Sequence, residues 1–124
     1  MSEKYIHPGI AAAAEYWRGV IDELAPSEKA DKFGDFTANS LADVFDSKEG
    51  IIEIYSKVPN SRGYKMFEKP NEPSKILRDA LKSAKLKLSL PDDIVMTIST
   101  TLVQVREGGS EAATLWRAPV SYKR

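Results

Sequence analysis

Residues 94–116 decide the fold: Ile94-Val95-Met96-Thr97-Ile98, Ser99-Thr100, Thr101-Leu102-Val103-Gln104-Val105-Arg106, Glu107-Gly108-Gly109-Ser110, and, after Glu111, Ala112-Ala113-Thr114-Leu115-Trp116. β-branched residues crowd this stretch, so it reads as strands separated by short turns, an antiparallel hairpin arrangement. Gly108 and Gly109 are expected to supply the positive φ of a tight hairpin turn. A phosphate-cradling loop would instead need Gly-Lys-Ser/Thr between a strand and a helix, and here a strand follows.

Towards the N-terminus the apolar period changes from that of strands to that of helices. Within residues 73–85, Ile76, Leu77, Ala80, Leu81 and Ala84 form one stripe, after the breakers Pro70, Asn71 and Pro73. Ile10, Ala13, Ala14, Trp17, Val20, Ile21 and Leu24 recur at helical spacing after Pro8-Gly9, and Pro26 marks the exit. Ser27 is placed to cap a second helix with Phe33, Phe36, Leu41, Val44 and Phe45 on one side. Ile51, Ile52, Ile54 and Tyr55 read as either a strand or a buried helical turn. Pro59-Asn60-Ser61-Arg62-Gly63 reads as a loop and Tyr64-Lys65-Met66-Phe67 as a short strand. Helices first and strands mostly later predict an α+β fold, with amphipathic helices on one face of a small, mainly antiparallel sheet. Trp17 and Trp116 fall on the expected core faces.

At 124 residues and 42% hydrophobic content, the chain fits a single domain, residues 1–124, with residues 1–8 as a flexible tail. It has no cysteine, which excludes disulfides, thiolate metal sites and cysteine nucleophiles, and fits a cytoplasmic or nuclear home. The 18 basic residues cancel the 18 acidic ones, so no global field steers it to nucleic acid or an anionic membrane. Neither a signal peptide nor an apolar run long enough to span a bilayer is read. The only histidine, His7, lies in the expected tail, and no Gly-x-Ser-x-Gly elbow is present, so acid–base and triad chemistry lack their usual residues. Asp92 and Asp93 are adjacent, which on a strand aims them at opposite faces and makes them a poor shared metal site. The expectation is no enzyme, no cofactor and no metal.

One charge pattern is organised. Lys75, Arg78, Lys82 and Lys85 follow one another at three, four and three residues, a cationic stripe on one side of the third helix with Lys87 just beyond. It could grip phosphates or an acidic partner, and a nucleic-acid-binding module is the alternative function. A solvated helix face, expected opposite the apolar stripe, is the favoured explanation, so direct nucleic-acid binding is not the leading expectation.

The order of elements from about Ala11 to Trp116 resembles the amino-terminal domain of the BTG/Tob antiproliferative family. A first family signature has its counterpart in Tyr55, Pro59, Ser61, Gly63, Tyr64 and Lys65, with Lys65 in place of an arginine. The second begins at Leu90-Pro91-Asp92-Asp93-Ile94 and continues through Leu102 to Arg106, the Gly108-Gly109-Ser110 turn and Leu115-Trp116. The family's His-Trp pair is absent from the first signature; in the second, Thr97 stands where a tryptophan is usual and Ser99-Thr100 where Asp-Pro is usual. The resemblance implies a BTG-domain-like fold and a non-catalytic adaptor that docks on the deadenylase subunit of the Not complex, in mRNA decay and growth control. It carries the partner-binding surface over to Tyr55, Pro59, Tyr64, Leu90, Pro91, Thr97 and Ser99. Self-association through an exposed strand edge is left open.

Overall fold

A computed structural model describes residues 7–25, 28–47, 51–57, 72–91 and 93–118. Three helices and four strands follow in the order α1 (Pro8–Leu24), α2 (Glu28–Ser47), β1 (Ile52–Tyr55), α3 (Lys75–Ser83), β2 (Ile94–Ile98), β3 (Leu102–Glu107) and β4 (Ala113–Arg117). The strands form one antiparallel sheet in the order β1-β2-β3-β4. The helices pack against it, which makes the α+β architecture that the change of period indicates. Ile51 lies outside β1, and the remaining residues of that ambiguous apolar segment form the strand. Ser27 and the stretch Tyr64-Lys65-Met66-Phe67 lie outside the described residues.

Alternation sets which face of the sheet is covered. Ile54 of β1, Ile94, Met96 and Ile98 of β2, and Val103 and Val105 of β3 are buried, while their strand neighbours are half-buried or exposed. These inward residues join Ile10, Ala13, Trp17 and Ile21 of α1, Ala30, Phe33 and Leu41 of α2, and Leu77, Ala80 and Leu81 of α3 in one core. α1 crosses β2, β3 and β4, and α2 packs on α1 and α3. The stripe of α2 includes Thr37, fully buried, because its hydroxyl donates to the Phe33 carbonyl one turn back at 2.8 Å. Trp17 is fully buried, as expected, although its Nε1–H finds no acceptor among the described residues.

The expectation of a tail over residues 1–8 is corrected at its end. His7 is the N-cap of α1: its Nδ1 accepts the Gly9 N–H at 3.0 Å, and Pro8 opens the helix. The imidazole also stands edge-on to the Trp116 indole, with ring centroids 5.0 Å apart. A Cβ at Gly9 would lie 2.9 Å from the Trp116 ring and 3.1 Å from Val103, so glycine is what lets α1 start against the sheet.

Trp116 reaches that position through a bulge. Gln104 pairs with Thr114 but Val103 pairs with Trp116, which leaves Leu115 as the extra residue of β4. Without it Trp116 would stand opposite the outward Leu102; with it the indole turns to the helix side. In the turn before β4 only Gly108, at φ 62°, takes the left-handed conformation, so one glycine and not two supplies the positive φ expected there.

Candidate protein-docking face

Tyr55 of the first sequence signature and Val95 and Thr97 of the second stretch lie together on the sheet face turned away from the helices. Tyr55 pairs with Val95 and Glu53 with Thr97, so Tyr55 is the diagonal neighbour of Thr97 across β1 and β2. The Tyr55 hydroxyl donates to Glu53 Oε1 at 2.9 Å, which lays the ring along the strand towards the Glu53 and Thr97 pair. Tyr55, Val95 and Thr97 are half-buried, and Leu102, Gln104, Arg106 and Thr114 continue the same face across β3 and β4.

Two serines fasten the strand ends around Tyr55. Ser74, just before α3, donates its backbone N–H to the Tyr55 carbonyl at 3.0 Å and accepts the Tyr55 N–H on Oγ at 2.9 Å. Its hydroxyl therefore serves the edge of β1 and makes no side-chain cap for α3, whose N-cap residue it is. Ser56 does the corresponding job at Ile94, donating through N at 2.9 Å and accepting on Oγ at 3.0 Å. Neither serine stood out in the sequence, because clips between residues 19 and 38 apart have no local signature.

The other expected site residues are distributed unequally. Leu90 is buried in the core, so its side chain is not part of the sheet face. Pro91 is exposed ahead of β2. Ser99 lies past the other end of β2, where its Oγ accepts the Leu102 N–H at 3.1 Å and fastens the turn to β3. Pro59, Tyr64 and Asp92 lie outside the described residues. Asp93 is exposed at φ 63°, and its carbonyl accepts the Gly108 N–H at 2.9 Å, the role of a turn residue.

The cationic stripe of α3 is not four equivalent charges. Lys75 pairs with Asp79 at 2.6 Å, one turn along the helix. Arg78 lies 3.9 Å from Glu72 and donates Nε to the Pro73 carbonyl at 3.0 Å. Lys82 and Lys85 make no ion pair among the described residues. Half of the stripe is thus already neutralised, which weakens it as a phosphate-tracking surface.

Elsewhere, Tyr16 of α1 donates its hydroxyl to the Glu107 carboxylate at the end of β3. Its burial, with that carboxylate second, pushes the phenol pKa far above its ordinary value. No group of three or more His, Cys, Asp or Glu side chains suited to a metal occurs among the described residues, and none of their helices is long and apolar enough to cross a membrane.

The architecture is that of a BTG/Tob domain. The chain is similar to the solved BTG/Tob domain of FOG-3 from C. elegans, with a TM-score of 0.68 and 14% identity over 94% of each chain. No protein-family model matches the sequence, and no curated protein matches it. The likeness therefore lies in the fold, and side chains have to be argued one at a time.

Proposed function

We propose that this chain is a divergent BTG/Tob-type domain that works as a non-catalytic adaptor, docking a protein partner on the sheet face around Tyr55 and Thr97. The observation that carries the reading is the adjacency of the two signatures: Tyr55 from the first lies beside Val95 and diagonal to Thr97 from the second. A half-buried tyrosine with its backbone fastened on both sides is a pre-organised anchor, and such aromatic anchors dominate protein interfaces. Pro59, Tyr64 and Pro91 belong to the same proposed surface, with Ser99 at its far end and Leu90 supporting it from the core. Following the family resemblance of the sequence, the partner proposed is the deadenylase subunit of the Not complex, in the cytoplasm or nucleus.

Titration calorimetry between the purified chain and purified deadenylase subunit tests this. Tyr55→Ala should weaken binding by about tenfold or more while the domain stays folded. Thr97→Trp, which restores the tryptophan that the resemblance leads one to expect, should strengthen it by a similar factor. Unchanged affinity in a folded Tyr55→Ala variant removes the sheet face from the proposal, and no binding even by Thr97→Trp removes the deadenylase.

A further inference from the structure

Beyond the sheet face, a groove of about 560 Å³ runs along the end of α3 and the segment that follows it. Pro73, Leu81, Leu86 and Leu88 give it an apolar floor. Arg78, Lys82, Lys85 and Lys87 stand around that floor, and no acidic residue lines it among the described residues. Lys82, Lys85 and Lys87 are exposed and make no ion pair among the described residues. The cations of this region that lack a carboxylate partner are therefore the ones gathered at the groove.

The backbone there is also unusual. α3 ends in a tight motif: Lys85 takes the left-handed conformation at φ 59°, Lys85 N–H donates to the Lys82 carbonyl at 3.1 Å, and Leu86 N–H to the Leu81 carbonyl at 2.9 Å. Beyond it, Leu86 and Leu88 are half-buried, Leu90 is buried, and Lys87 and Ser89 are exposed. Burial that alternates with period two belongs to an extended chain. Residues 87–90 nevertheless belong to no strand, and their N–H and C=O groups have no hydrogen-bond partner among the described residues. An extended, unpaired backbone beside an apolar trough is a template for strand addition.

We propose that this groove docks an extended segment of a protein partner in which acidic residues alternate with apolar ones, added as a short strand along residues 87–90. Side chains of a strand alternate between faces, so the partner's apolar residues meet Leu81, Leu86 and Leu88 while its carboxylates meet Lys82, Lys85 and Lys87. The apolar floor favours a peptide over a nucleic acid, since among the described residues no aromatic ring lines the groove for bases to stack on. This surface is separate from the sheet face, and neither proposal depends on the other.

The test uses a fluorescein-labelled peptide, Asp-Leu-Glu-Val-Asp-Leu, titrated with the full chain by anisotropy. A scrambled peptide, Leu-Leu-Val-Asp-Asp-Glu, and an oligouridylate are the comparison probes. The alternating peptide should bind, and raising salt should weaken it. Lys82→Glu combined with Lys87→Glu, both at exposed positions, should cost about tenfold in affinity without unfolding the domain. Bound peptide should slow hydrogen exchange at the amides of residues 87–90. Equal binding of the scrambled peptide reduces the groove to an anion site and overturns the proposal. So does oligouridylate binding as tightly, an unaffected double variant, peptide binding without slowed exchange, or no binding at all.

Discussion

Residues 94–98 and residues 86–90 show the same pattern of burial and meet opposite fates. Ile94, Met96 and Ile98 point inward between half-buried Val95 and Thr97, and Leu86, Leu88 and Leu90 turn inward between exposed Lys87 and Ser89. The first segment is β2, laddered on both sides by β1 and β3. The second has no strand beside it among the described residues. Alternation therefore determines which side chains face the core, but a strand exists only where a neighbour satisfies the backbone. The paired segment is structural, and the unpaired one is where a partner has something to gain.

The sharpest way to break this contrast is to truncate one apolar residue in each segment. Met96→Ala, at a fully buried site, should destabilise the domain by about 2 to 5 kcal/mol, whereas Leu88→Ala, half-exposed, should cost about 1 kcal/mol or less. Urea denaturation of both variants checks it; equal losses would mean that residues 86–90 are as firmly packed as β2.

A smaller effect tests how tightly the laddered side is closed. Gly9→Ala should cost about 1 to 3 kcal/mol, because its Cβ would meet the Trp116 ring and Val103 at the distances given above. Thermal unfolding reads it, and a stabilised variant would show that α1 can tilt off the bulge at Leu115.

The opposite sign is expected at the start of the unpaired segment. Lys85→Gly should raise stability by about 1 kcal/mol, since a side chain in the left-handed conformation carries a cost that glycine avoids. Chemical denaturation compares the two chains directly.

The smallest effect joins α1 to the end of β3. Tyr16→Phe should lose about 0.5 to 1.5 kcal/mol at neutral pH by removing the hydrogen bond to Glu107. The Tyr16 pKa is raised in the folded state, by burial first and by the Glu107 carboxylate second, from an ordinary value of 10.0. The unfolded chain therefore loses this proton first, so the contribution is complete below about pH 10 and declines as pH rises above it. The phenylalanine variant should show a flatter loss of stability in that alkaline range; identical pH profiles would show that the bond does not hold α1 to β3.

Much of the fold was legible. Helical stripes such as Ala13, Trp17 and Ile21 and the β-branched run from Ile94 to Val105 state their period locally, and the structure buries that stripe and Ile94, Met96, Ile98, Val103 and Val105 of the run. The likeness to a BTG/Tob domain followed from the same order of elements. The candidate sites were less legible. Tyr55 and Thr97, named from the signatures, lie diagonal to one another on the sheet, whereas Leu90 belongs to the core and Ser99 to a turn. The stripe from Lys75 to Lys85 read as uniform because neither the Glu72 partner of Arg78 nor the groove leucines lie within its spacing. His7 read as a tail residue because its contacts with Trp116 span most of the chain.

The sequence by itself determined the change from helical to strand period, the faces that enter the core and the absence of cysteine chemistry, because each of these is a property of neighbouring residues. The tertiary structure alone decided that Tyr55 lies next to Val95, that Ser74 fastens it, that a bulge turns Trp116 inward, and that residues 87–90 have no strand partner among the described residues. Those outcomes depend on hydrogen bonds and packing between distant segments, and such pairings are settled only when the whole chain closes around one core.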